Sequence, residues 1–177
     1  MIVLNVQTIR RLLQALNEEL ARRDIQGEIG VCGGAAMCLA FKAREATKDV
    51  EAIFKPSKEI RNAAAKIAKS FALDEDWLND AVKAYFHVDP PREPLLEFSH
   101  LRVWTPRADY MLAMKGLSAR FDTHDREDVE FLIEYLEIQS ADQVFALINR
   151  YYPHSIVPPK TQFFIEELFE KRSRTKS

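Results

Sequence analysis

Apolar residues recur near the start of the chain at three- and four-residue intervals: Ile9, Leu12, Leu13, Leu16 and Leu20. That spacing predicts an amphipathic helix over residues 6–23. Gly27 marks a break, and Glu28-Ile29-Gly30-Val31-Cys32 predicts a short, largely apolar strand running into Gly33-Gly34. Ala35 to Phe41 is small and apolar, which predicts a buried helix. A charged connector, Lys42 to Lys48, leads to a second strand, Asp49 to Phe54. Its period of two sets Asp49 and Glu51 on one face and Val50, Ala52 and Phe54 on the other.

Pro56-Ser57 stops that strand and offers an N-cap to a helix over 58–72. Trp77, Leu78, Val82, Tyr85 and Phe86 predict another helix over about 75–86. The three prolines between His87 and Pro94 predict a loop. Leu101 to Trp104 reads as a strand, starting there or as early as Phe98. From Pro106, placed at a first helical position, the pattern is helical. It predicts segments over 106–119, 124–136, from Ser140, and over 160–171 after Pro158-Pro159. Ser140-x-x-Gln143 matches a capping box. The fold class expected is therefore α/β (α+β): a small mixed-sheet core over about 1–105, then a helical part over 106–172. Both are expected to pack as one domain spanning 1–177.

Composition narrows the classes. The 177 residues are 47% hydrophobic and 29% charged with 5 Gly and 8 Pro, which excludes a disordered or fibrous chain. A net charge of −2 supplies no global field for nucleic acid, so any such contact needs a local basic patch. The one dense basic run, Lys171 to Lys176, reads as a solubilising end. Met1 to Gln7 lack the cationic start of a secretory signal. No apolar run approaches the roughly 18 residues a bilayer span needs. Cys32 and Cys38, in apolar surroundings, suit a reducing, cytoplasmic setting. His87, His100, His124 and His154 are scattered and predict structural roles.

The candidate chemistry lies between Glu28 and Phe54. A glycine pair at a strand-to-helix turn lets backbone N–H groups approach phosphate oxygens with no Cβ in the way, and the helix opening there adds its positive end. Carboxylates at i and i+2 on a strand point the same way. They repel in water but become ligands when a divalent cation lies between them and a triphosphate. Either feature alone has an ordinary explanation, a tight turn or a solvated strand face; the two in this order are more specific.

Gly33-Gly34, then Arg44, Thr47 and Asp49-Val50-Glu51, resembles the signature of the DNA polymerase beta-like nucleotidyltransferases. Within them the chain is most similar to small bacterial proteins related to AbiEii toxins. Trp77-Leu78-Asn79-Asp80, Leu112-Ala113-Met114-Lys115, Asp125-Arg126-Glu127-Asp128 and Tyr151-Tyr152-Pro153 extend the resemblance over about residues 28–170. It implies a nucleotidyltransferase core in which Gly33 and Gly34 hold nucleotide phosphates while Asp49 and Glu51 bind Mg²⁺. Arg44 and Thr47 would touch the triphosphate, Lys115 would supply charge to the phosphates, and Asn79, Asp125 and Asp128 would join the nucleotide site. Asp125 and Asp128 also share a helix face and complement its dipole. Asn79 has a local alternative, a bond to nearby backbone.

The implied reaction moves a nucleoside monophosphate from an NTP to a hydroxyl of tRNA or protein, in a toxin–antitoxin or phage-defence setting. The family's third carboxylate comes from a later strand; here that strand reads His100-Leu101-Arg102-Val103-Trp104, and the nearest acids are Glu97 and Asp89. That departure sustains a second reading, a catalytically silent fold that binds a cognate toxin or antitoxin protein. A third, modification of a small cationic molecule such as an aminoglycoside, would need an acidic cleft.

Overall fold

The computed structural model describes residues 3–118 and 123–175. Met1 and Ile2, Ala119 at the end of one expected helix, and Lys176 of the basic tail lie outside the described residues. The chain forms two compact units, Met1–Phe86 with Pro91–Pro106, and His87–Pro90 with Arg107–Ser177.

The first unit is a mixed sheet with helices. A two-residue strand, β1 (Leu4–Asn5), leads into α1 (Val6–Ala21), which Asn5 caps by accepting the Thr8 backbone N–H at 2.8 Å. The predicted stripe of Ile9, Leu12, Leu13, Leu16 and Leu20 is buried. There follow β2 (Gly27–Val31), α2 (Gly33–Leu39), β3 (Ala46–Thr47), β4 (Val50–Lys55) and α3 (Ser57–Phe71). Then come β5 (Leu78–Asn79), a 3₁₀ turn (Ala81–Tyr85), β6 (Arg92–Glu97) and β7 (Leu101–Pro106). The five-stranded sheet runs β5-β4-β2-β7-β6. β2 is antiparallel to β4 and parallel to β7, β4 is parallel to β5, and β6 is antiparallel to β7.

One face of this sheet is core. Ile29, Val31, Val50, Ala52, Leu101 and Val103 are buried, and α1 and α3 pack on one another beside it. Each such Val, Leu or Ile side chain removed from water contributes about 1.5–3 kcal/mol. The register places Glu28, Gly30, Ile53, Lys55, Arg102 and Trp104 on the opposite face. There the Trp104 indole lies flat on Gly30, so close that an added Cβ would meet the ring at 2.3 Å. Trp104 Nε1 donates to Glu28 Oε1 at 3.1 Å, and the Arg92 guanidinium covers the ring at 4.1 Å. Separately, β1 pairs with β3, Leu4 opposite Thr47, which pins part of the charged connector.

The second unit is helical: α4 (Ala108–Leu117), α5 (Thr123–Tyr135), α6 (Ala141–Tyr151) and α7 (Pro159–Thr175). α4 packs against α5 and α6, and α6 against α7. Ser140 caps α6 as expected, accepting the Gln143 backbone N–H at 3.3 Å. The reciprocal arm reaches one residue further back, where Gln143 Oε1 accepts the Gln139 N–H. No helix among the described residues is long and apolar enough to cross a membrane.

Several local expectations are corrected. Residues 75–86 form no α-helix: Leu78 and Asn79 pair with Val50 and Glu51 of β4, and the Asn79 side chain takes the Ala81 N–H that a helix would have used. The segment expected as loop to Pro94 turns into β6 at Arg92; a proline is tolerated because β6 is an edge strand with a bulge between Pro94 and Leu96. Pro106 ends β7 rather than opening a helix, and α4 begins at Ala108. Ser57 donates its hydroxyl to Phe54 O instead of capping α3. Gly33 and Gly34 form the first turn of α2 rather than preceding it.

Gly30→Ala is expected to lever the indole off its seat and cost about 1–3 kcal/mol, read from the urea-unfolding midpoint. An unchanged midpoint would contradict the close contact between ring and strand.

Candidate functional site

The last ladder bond between β2 and β4 sets the site. Val31 stands opposite Ala52, and the Cys32 backbone N–H donates to Glu51 O at 2.8 Å. The chain then turns sharply at Gly33, whose φ of +55 lies in the left-handed region that favours glycine. Space demands glycine as well: a Cβ here would sit 2.2 Å from Glu51 Oε2. A Cβ on Gly34 would sit 2.5 Å from Thr47 Oγ1 and 3.2 Å from Arg44 Nη1. So the glycine pair is the meeting point of Glu51, Thr47 and Arg44, three side chains that the sequence placed in the same site.

Asp49 precedes β4, and Glu51 is its second residue. Both are half-buried while Val50 and Ala52 between and beyond them are fully buried, the predicted alternation of faces. Across the β4–β5 pairing, Asn79 stands opposite Glu51, and its Nδ2 donates to Asp49 Oδ2 at 3.1 Å. Seven predicted residues, Gly33, Gly34, Arg44, Thr47, Asp49, Glu51 and Asn79, therefore gather in the first unit.

The donor set favours one class of cation. Two carboxylates are hard oxygen ligands, too few for a closed protein cage but the number Mg²⁺ takes when substrate phosphates complete its shell. The Gly33 backbone lies directly against one of these carboxylates, Glu51 Oε2 filling the space a Cβ would take. The residues present thus fit the cation that the sequence implied.

The other three predicted residues gather in the second unit. Lys115 of α4 is 7% exposed, and its Nζ meets Asp128 Oδ2 at 2.6 Å and Asp125 Oδ1 at 3.2 Å on α5. Asp128 is itself 2% exposed, so this is a buried ion pair that ties α4 to α5. Both acids do share one helix face, as their spacing required.

Sequence reasoning missed a second charged cluster in this unit. Asp109 accepts from Arg107 Nε at 3.1 Å and Nη2 at 2.6 Å, from the Tyr151 hydroxyl at 2.7 Å, and from the Tyr110 backbone N–H at 2.9 Å. Burial pushes the Asp109 carboxyl up, but those hydrogen bonds outweigh it and hold the group below its ordinary value of 3.8. Burial, reinforced by the bond to Asp109, pushes the Tyr151 phenol above its ordinary 10.0. The Arg107-x-Asp109 spacing is visible in the sequence; its partner 42 residues on is not.

Three of the four histidines have structural contacts: His100 with Ser99 and Asp24, His124 with Glu127, and His87 edge-on to Tyr152. Both cysteines are buried. A groove of about 570 Å³ in the second unit, lined by Ile133, Ile138, Phe169 and Arg172 among others, holds none of the predicted site residues. Comparison with known proteins returns no matching family model, no matching curated protein and no matching solved structure.

A carboxylate held below its unfolded value stabilises the fold at higher pH and loses that contribution as acid carries it through the lowered folded value. Asp109→Asn is therefore expected to melt lower than wild type near neutrality, with the gap closing as pH falls below 3.8. A gap unchanged across a melting series from neutral to acid pH would contradict the cluster.

Proposed function

We propose that the chain is a Mg²⁺-dependent nucleotidyltransferase that moves a nucleoside monophosphate from an NTP to a hydroxyl of a macromolecule. The observation that carries the proposal is the Gly33 turn: a left-handed glycine whose missing side chain leaves Glu51 Oε2 against the backbone, with Arg44 and Thr47 against the next residue. A cationic guanidinium and a hydroxyl donor beside a glycine turn are groups that a phosphate chain can use. The neighbouring carboxylates would repel it unless a divalent cation intervened.

Asp49 and Glu51 would hold Mg²⁺, which when bound neutralises phosphate charge and polarises the α-phosphorus. Arg44 and Thr47 would fix the β- and γ-phosphates, and Gly33 and Gly34 would admit them to the backbone. The acceptor hydroxyl attacks the α-phosphorus in line, a new P–O bond forms, and the bond to pyrophosphate breaks as the hydroxyl proton leaves. The resemblance to AbiEii-related proteins extends the proposal to a tRNA or protein acceptor, and to a cytoplasmic toxin–antitoxin or phage-defence setting.

One observation favours the second reading, a silent fold acting through a cognate partner protein. On β7, beside β2, the positions that share the carboxylates' face are Arg102 and Trp104, and Trp104 fills the space above Gly30 where an acid would be wanted.

Melting of wild type and Asp49→Ala with each NTP, with and without Mg²⁺, separates the two. A ligand at a hundred times its Kd adds about 2.7 kcal/mol, so wild type is expected to rise by several degrees only when both NTP and Mg²⁺ are present. Asp49→Ala is expected to stay flat. An equal rise in the variant, or none in wild type, would overturn the proposal.

A further inference from the structure

The segment Trp77-Leu78-Asn79-Asp80 is built more firmly than a nucleotide-contacting loop requires. The Trp77 indole N–H donates to Ala64 O of α3 at 3.1 Å, and the Trp77 carbonyl accepts the Val50 N–H at 2.6 Å. Leu78 is buried, and the Asp80 carboxylate is paired with Arg61. Between these anchors Asn79 stands opposite Glu51 across a parallel strand pair.

The orientation of the Asn79 amide is fixed by its partners. Its Oδ1 accepts the Ala81 backbone N–H at 3.1 Å, while its Nδ2 donates to Asp76 O at 3.3 Å and to Asp49 Oδ2 at 3.1 Å. An N–H can only donate and a carbonyl can only accept, so the amide cannot be flipped, and it is the NH₂ that faces the carboxylate. Asp49 lies just before β4, outside the strand pairing that orders Glu51.

We propose, building on the cation-dependent reading above, that Asn79 is a positioning residue of the cation site, its amide aiming the Asp49 carboxylate beside Glu51. The chemistry of the partner matters. A lysine or arginine at this position would neutralise Asp49 and compete with a metal, and another carboxylate would repel it. A neutral amide fixes one oxygen without bringing a charge of its own. Partners of this kind, one shell out from the metal, are worth about 10- to 100-fold in its affinity.

Asn79→Ser isolates the role. Serine keeps an oxygen that can accept the Ala81 N–H, and so keeps the turn, but its arm is too short to reach Asp49. Mn²⁺ serves as the probe, its binding to the full chain followed by electron paramagnetic resonance in wild type, Asp49→Ala and Asn79→Ser. The expected result is saturable binding in wild type, its loss in Asp49→Ala, and an approximately tenfold or greater rise in Kd for Asn79→Ser, with its metal-free melting midpoint unchanged. Wild-type affinity in Asn79→Ser, with binding still lost in Asp49→Ala, would overturn the positioning role and leave the cation site standing. Wild type binding no better than Asp49→Ala would overturn both. Should Asn79→Ser fold poorly, the Asn79 side-chain NH₂ resonances of wild type decide: they are expected to shift on adding Mg²⁺, and resonances that stay fixed through saturation would refute the inference.

Discussion

Glu51 Oε2 occupies almost the place where residue 33 would carry its β-carbon, and the first unit is arranged around that approach. The β2–β4 ladder brings Glu51 level with Cys32, and the left-handed turn at Gly33 then swings the chain past the carboxylate into α2. The β1–β3 pair fixes Thr47 against Gly34 on one side, and β5 fixes Asn79 against Asp49 on the other. Holding Glu51 this close to the backbone requires glycine, which adds conformational entropy to the unfolded chain.

The second unit uses charge differently. Lys115 and Asp128 are almost fully buried, so their pairing must recover the solvation both lost, and Asp125 at the helix start helps to do so. The Arg107–Asp109–Tyr151 group likewise joins the start of α4 to the end of α6. The first set is buried, and a half-made buried network costs more than an apolar contact would. Lys115 was expected to supply charge to phosphates; its pairing with Asp125 and Asp128 was legible only as far as the two acids' shared helix face.

Regular periodicity made much of the architecture readable. α1, β4 and α6 follow from the spacing of apolar residues and from two capping side chains, Asn5 and Ser140, the second of them read in advance. Two of the errors share a cause: a tertiary partner overrode the local pattern. The apolar spacing of Trp77, Leu78 and Val82 imitates a helix, but β4 offered Leu78 and Asn79 a strand partner. Pro94 argued for a loop, yet its position on an edge strand made the missing N–H harmless. The site was legible to the extent that its residues are sequential: Gly33-Gly34 and Asp49-x-Glu51 are short-range signals. The Asn79–Asp49 bond spans 30 residues, and no local pattern announces it.

The central claim is that the Gly33–Gly34 turn, with the Asp49–Glu51 pair beside it, is where a metal-bound nucleotide lies. Backbone amide resonances followed by ¹H–¹⁵N NMR during titration with each NTP and Mg²⁺ test it directly, since they report where a ligand sits without requiring turnover. The account predicts saturable shifts that are largest at Gly33, Gly34, Thr47 and Glu51 and vanish when Mg²⁺ is withheld. Shifts centred on the groove lined by Ile133 and Phe169, or none that saturates, would contradict it.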